Sequence, residues 1–209
     1  MKVKIWDSFV RGYHWLMVLA VAGLWWTGEN GEMEWHLKIA IVLGSLLLAR
    51  LVWALVGSEN ARFRAFVRGP REVLAHAKHM RAKNYTPGNT HNAMGGWAVL
   101  ALWLVLAVQL TTGLFATDEI FFSGPLASLV SGDWQGTLTD IHEGNFNVLL
   151  ALVGLHVFAI VVYRLRGINL LAAMLHGKRE NVTAPRLRPS LIAWAVAALL
   201  AASGWYFWA

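Results

Sequence analysis

The sequence has no cysteine. That excludes disulfides, thiolate-bound zinc, iron–sulfur clusters and thioether-linked haem, and it leaves histidine as the natural ligand for any metal cofactor. Charge is also scarce. Asp, Glu, Lys and Arg make up 14% of the 209 residues against 57% hydrophobic residues, so the chain falls in the integral membrane class. Neither a soluble fold nor a nucleic-acid surface is expected, and no general acid/base pair or nucleophile constellation stands out. What is abundant is tryptophan. Its 12 copies suit the aromatic belts of a membrane protein.

Five stretches are long and apolar enough to span a bilayer: roughly Phe9 to Thr27, Trp35 to Val56, Gly96 to Ala116, Ile141 to Tyr163 and Leu191 to Trp208. The connections between them differ in sign. Gly28 to Glu34 contains Glu29, Glu32 and Glu34 and no base, and Thr117 to Asp140 contains Asp118, Glu119, Asp133 and Asp140 and no base. Gly57 to Gly95 carries Arg62, Arg64, Arg68, Arg71, Lys78, Arg81 and Lys83, and the last connection carries Arg164, Arg166, Lys178, Arg179, Arg186 and Arg188. Basic loops stay in the cytoplasm, so the expected topology is N-terminus inside and C-terminus outside in a bacterial inner membrane. Ala20, Val21 and Ala22 imitate a signal cleavage site, but apolar residues continue through Trp25 and Trp26. From Pro70 to Lys83 the apolar residues Val73, Leu74, Ala77 and Met80 share one helical side, which predicts a short helix on the inner membrane surface, ended by Pro87 and Gly88.

This topology assigns a depth to each histidine. On span four, His142 and His156 lie 14 residues apart, on roughly the same helix face and about 21 Å apart along the axis. His36 opens span two near the outer surface and His14 lies near the inner end of span one. The expected arrangement is two pairs at two levels, His14 with His156 and His36 with His142, and two stacked haems are the cofactor that wants such facing imidazoles. Taken singly, His14 and His156 could be packing residues, and His36 and His142 interfacial ones. His76, His79, His91 and His176 fall in basic connections and read as solvated side chains; the first three are also weak candidates for a proton route. Arg50 stands 14 residues after His36, at the depth of the inner pair. It is expected either to meet a haem propionate or to snorkel to the inner surface. Gly23, Gly44, Gly113 and Gly154 could admit a flat macrocycle or simply allow close helix packing.

The opening KIWDSFVRGYHWLMVLAVAGLWWTGE, the span WHLKIAIVLGSLLLARLVWALVG, the stretch ARFRAFVRGP, the segment HNAMGGW and the two-histidine fourth span resemble the bacterial-type cytochrome b561 superfamily. Within it, the chain is most similar to the di-haem cytochrome b subunits of membrane-bound nickel–iron hydrogenases. The resemblance covers about residues 3 to 180. It implies an all-α membrane protein, a four-helix bundle over residues 1–180 holding two non-covalent b-type haems. By position, His14 and His156 would bind the inner haem and His36 and His142 the outer. The implied activity is transmembrane electron transfer between the quinone pool and an external partner, a c-type cytochrome or periplasmic oxidoreductase, with the chain as electron-transfer subunit of a quinone-linked enzyme. The additional helix at 189–208 departs from the simplest relatives; it could meet a partner subunit or anchor the C-terminus through Trp205, Tyr206 and Trp208.

Two other functions compete. A stand-alone superoxide:quinone oxidoreductase belongs to the same family, but its anionic substrate would meet Glu29, Glu32, Glu34, Asp118, Glu119, Asp133, Asp140 and Glu143 with only Lys38 in opposition. The same acidic face suits a cationic partner. A non-redox membrane anchor, its histidines merely packing, is the third reading.

Overall fold

The computed structural model describes residues 2–79, 91–180 and 182–209, with the side chains of 76–79 excepted. The side chains of His76 and His79, together with Pro87 and Gly88, therefore lie outside the described residues. Along the chain run β1 (Lys2–Lys4), α1 (Ser8–Glu29), α2 (Met33–Val56), α3 (Phe63–Phe66), α4 (Pro70–His79), α5 (Ala93–Gly113), α6 (Gly132–Leu165), α7 (Leu170–His176), β2 (Lys178–Glu180) and α8 (Leu191–Trp208). The helices α2, α5, α6 and α8 are long and apolar enough to cross a membrane. At 22 residues α1 matches them in length, although Arg11, Tyr13 and His14 dilute the apolar character of its first turns. The architecture is an all-helical membrane bundle.

The long helices form two antiparallel hairpins, α1 with α2 and α5 with α6, which meet mainly along α2 and α5. Leu43 and Leu47 of α2, Trp103 and Leu106 of α5, Leu149 of α6 and Ala20 of α1 make the shared core. The fifth long helix, α8, lies along α2 and touches α1. Its small residues Ala193 and Ala197 are buried with Phe9, Leu46 and Trp53. Backbones approach closely here, as small residues permit between membrane helices: a Cβ on Gly204 would lie 2.7 Å from Ile41, and one on Gly12 would lie 2.5 Å from Trp194. The small-residue face of α8 covers α2.

Two helices begin earlier than the apolar runs that announce them. The Asn92 side chain accepts the Gly95 N–H at 2.7 Å and starts α5 at Ala93, three residues before Gly96. The α6 helix starts at Gly132, nine residues before Ile141. The segment GDWQGTLTD is polar, so hydropathy reads it as loop, but no proline interrupts it. The Thr137 and Thr139 hydroxyls donate to the carbonyls of Asp133 and Gln135, one turn back.

The end of the bundle that holds the N-terminus, here the basic end, is tied together by side chains. β1 pairs antiparallel with β2, Lys2 opposite Glu180. Asp7 caps α1, its Oδ1 accepting the Val10 N–H at 2.8 Å, while its Oδ2 accepts Trp53 Nε1–H at 3.0 Å. Gly177, at φ 72°, ends α7 in the left-handed conformation. Its carbonyl accepts the Ile5 N–H at 2.7 Å. At the opposite, acidic end, Asp118 Oδ1 accepts the N–H groups of Ile120, Phe121 and Phe122, which shapes the turn before α6.

Candidate functional site

Four histidines face one another across the hairpins. His14 of α1 and His156 of α6 have ring centroids 6.4 Å apart, and His36 of α2 and His142 of α6 have theirs 6.2 Å apart. These separations can be compared with a physical expectation. A metal–imidazole bond is about 2.0–2.1 Å long, and a five-membered ring with sides near 1.35 Å has a radius of about 1.15 Å. Two imidazoles sharing one metal would then stand about 6.3–6.5 Å apart, centroid to centroid. The His14–His156 pair falls within this range and the His36–His142 pair 0.1 Å below it, so each is spaced much as two imidazoles that share one metal ion.

The donor set narrows which cofactor fits. Among the described residues no group of three or more His, Cys, Asp or Glu could hold a metal. Each pair offers two nitrogens and no carboxylate, too few for a bare ion. It suits a metal whose other four positions are filled by a macrocycle, as in bis-histidine haem. The residues present fit b-type haem.

At the acidic end each imidazole has its second nitrogen engaged. His142 Nδ1–H donates to the Gln109 carbonyl at 2.9 Å, which fixes the tautomer and leaves Nε2 free for a metal. Thr112 Oγ1 lies 3.4 Å from the same nitrogen and donates to the Val108 carbonyl at 2.8 Å. On the other hairpin Thr27 repeats this. Its hydroxyl donates to the Gly23 carbonyl at 2.8 Å, so it can accept from His36 Nδ1–H at 3.2 Å. Both threonines precede glycines that flank the rings. A Cβ on Gly28 would lie 3.5 Å from His36, whereas one on Gly113 would lie only 2.8 Å from His142. Gln109 donates to the His142 carbonyl and accepts from Asn145 Nδ2–H, which cross-links α5 to α6 beside the ring.

Thr27, Thr112, Gln109 and Asn145 escape a reading of the sequence by residue type. The signal that could have found the first two is the Thr-Gly dipeptide at the acidic end of both α1 and α5. Of the four glycines proposed to admit a macrocycle, Gly113 lies against a histidine ring, Gly23 and Gly44 face Ile39 and Leu110, and Gly154 opens onto free space.

At the basic end the surroundings differ. His14 Nδ1 is buried without a partner among the described residues. Arg50 is 4% exposed, so it does not snorkel to the surface. Its guanidinium lies over Trp103, 4.8 Å from the ring centroid, and Nη2 donates to the Ala61 carbonyl at 3.1 Å. Its Nη1 is buried without an acceptor among the described residues, an arrangement that suits a buried anion. His91 precedes α5 with its ring against Trp6 and Phe66, at 5.6 and 5.9 Å. Burial, then the charge of Arg50, pushes its pKa down to about 4, so it is neutral at pH 7. His176 is exposed in the last turn of α7. Lys38, the lone base of the acidic end, pairs with Glu34 and lies over Trp35 and Trp205.

Comparison with known proteins gives one family. No curated protein and no solved structure matches the chain. The family model of prokaryotic cytochrome b561 matches residues 5–177, a range that contains all four facing histidines and stops before α8. The chain therefore belongs to the prokaryotic cytochrome b561 family, membrane proteins that bind b-type haem and carry electrons across the bilayer.

Proposed function

We propose that the chain is a di-haem cytochrome b that passes electrons between the quinone pool and a cationic redox partner at its acidic end. The observation that carries this reading is the two facing imidazole pairs, at 6.4 and 6.2 Å, one at each end of the bundle. His14 and His156 would hold one haem, and His36 and His142 the other. Bound haem supplies one-electron redox chemistry; the protein supplies ligation, burial and orientation. The hydrogen bonds of Thr27 and Gln109 would orient the acidic-end imidazoles. Arg50 would offer its spare Nη1–H donors to a propionate of the basic-end haem. With the basic connections in the cytoplasm, the N-terminus is inside, the C-terminus is periplasmic, and electrons cross the full bilayer.

The partner is read from charge. Glu29, Glu32, Glu34, Asp118, Glu119, Asp133, Asp140 and Glu143 gather at the acidic end, and the one lysine there is paired with Glu34. Such a field draws in a basic c-type cytochrome or a basic patch of a periplasmic oxidoreductase and repels superoxide. The test is to reduce the purified protein with a quinol, follow the b-haem absorbance, and then mix it with a basic c-type cytochrome over a range of salt. The proposal expects haem reduction by quinol and onward transfer that slows steeply with ionic strength. Haems that quinol leaves oxidised, or transfer indifferent to salt, would contradict it.

A further inference from the structure

At the basic end, two segments more than a hundred residues apart are fastened into one cleft. The Glu59 N–H donates to the Arg186 carbonyl at 3.0 Å, the Arg186 N–H donates to Glu59 Oε2 at 2.9 Å, and the Arg188 N–H donates to Ser58 Oγ at 3.0 Å. These ties gather Arg62, Arg64, Arg186 and Arg188 around a cleft of about 370 Å³, with Glu59 the only acid among the described residues that line it. Four positive charges face one negative, and the Glu59 carboxylate is already engaged by a backbone N–H. Among the described residues none of the four arginines has a carboxylate within ion-pair distance.

Helix capping accounts for part of this cluster. Arg62 Nε–H donates to the Gly57 carbonyl and Arg188 Nη1–H to the Val56 carbonyl, each at 2.8 Å, which satisfies the open end of α2. A guanidinium has five N–H donors, so most of theirs remain. Arg64 and Arg186 make no side-chain hydrogen bond among the described residues, and capping does not explain why they are held beside the other two. Retention of basic loops in the cytoplasm requires arginines but no scaffold of paired backbone bonds to converge them.

The position of the cleft indicates what it takes. It lies between the last residue of α2, Val56, and the first of α8, Leu191, where two membrane-crossing helices end. Leu55, Val56, Leu191 and Ile192 beside it are exposed, at 67%, 48%, 77% and 65%. Cations that bind phosphate bidentately thus stand where two helices apolar enough to cross a membrane end, close in the chain to exposed apolar side chains. We propose that this cleft binds a phosphate-bearing anion, with an anionic phospholipid headgroup as the source that its position favours. The headgroup phosphate sits among the four guanidiniums and the acyl chains run down along α2 and α8, so the lipid bridges the bundle to its fifth helix.

The test uses the purified full chain with haem and the variant R64Q/R186Q, which spares both caps of α2. Each is placed in phosphatidylcholine vesicles, in vesicles of phosphatidylcholine and phosphatidylglycerol in equal parts, and in phosphatidylcholine with added inorganic phosphate. Thermal unfolding and lipid retention in native mass spectra are then read. The expected result is stabilisation and retained phosphatidylglycerol for the unmodified chain, with affinity about thirtyfold weaker in the variant, which corresponds to about 2 kcal/mol. Stabilisation by inorganic phosphate alone, lost in the variant, also upholds the site and identifies a soluble phosphate as its ligand. Equal response of the two proteins to every condition, or no response from the unmodified chain, overturns the proposal. Should the double variant fail to fold, R64Q alone, on an exposed side chain, must show the weaker affinity.

Discussion

Replacing Gly113 by alanine adds one methyl group beside the His142 ring. The Cβ would lie 2.8 Å from Cε1 and 3.0 Å from Nδ1. Carbon atoms in contact stand about 3.5 Å apart or more, so the ring must retreat by roughly 0.5–0.7 Å. Its Nδ1–H is already bonded to the Gln109 carbonyl at 2.9 Å, so it cannot move without stretching that bond toward the limit of about 3.5 Å. Overpacking of this kind costs about 1–3 kcal/mol; the middle of that range weakens haem binding at the acidic end about thirtyfold. Gly28 supplies the control. It occupies the matching place over His36, but its Cβ would meet the ring at 3.5 Å, an ordinary contact. The assay is the haem-to-protein ratio of each purified variant, with redox titration to show which haem is affected. We expect G113A to lose or shift one haem and G28A to match the unmodified protein. Equal behaviour of the two variants would refute the reasoning, whether both are intact or both damaged.

Three further outcomes follow from the same geometry. D7A removes the α1 cap and leaves Trp53 Nε1–H buried without an acceptor, so thermal unfolding in detergent should show a loss of about 2–4 kcal/mol; a loss below about 1 kcal/mol would mean that the cap and the indole bond contribute little. R50L should lower the potential of the basic-end haem by on the order of 50 mV, since a buried cation favours the reduced state; an unchanged potential and haem content would remove Arg50 from the site. The N–H groups of Phe122, Ile120 and Phe121 hold the Asp118 carboxyl below the usual carboxylate range. A depressed folded pKa contributes stability above the ordinary carboxylate pKa and loses it as pH falls through the folded value. Amide protection at residues 120–122, taken relative to the intrinsic exchange rate at each pH, should hold at neutral pH, fall only under strongly acid conditions and be lost in D118A, and equal protection in D118A at neutral pH would show that the carboxylate does not hold the turn.

What could be read from the sequence followed from how strongly each feature contrasts with its neighbours. The runs that become α2 and α8 are legible because charged or turn-forming residues bound them. The first nine residues of α6 are not, because their helix is polar and hydropathy detects solvent preference rather than backbone conformation. The paired strands are three residues each, KVK and KRE, and nothing local distinguishes them from basic loop. The histidines were easier. Loop charge fixes depth, depth matches His14 with His156 and His36 with His142, and the structure brings those rings together. The groups around them were hidden because their meaning depends on which helix face meets which. Thr27 and Thr112 look like ordinary helix-end threonines until the opposite hairpin places an imidazole beside each. Arg50 was legible in depth, but its seat against Trp103 and the Ala61 carbonyl arises from the return of the chain after α2, which no periodicity announces.

The most direct test of the account is haem stoichiometry with a dithionite-reduced minus oxidised spectrum, on the unmodified protein and on H142A and H156A. Two b-type haems in the first and one in each variant, a different one each time, are what paired ligation predicts. A single haem in the unmodified protein, or the same haem lost in both variants, would contradict it.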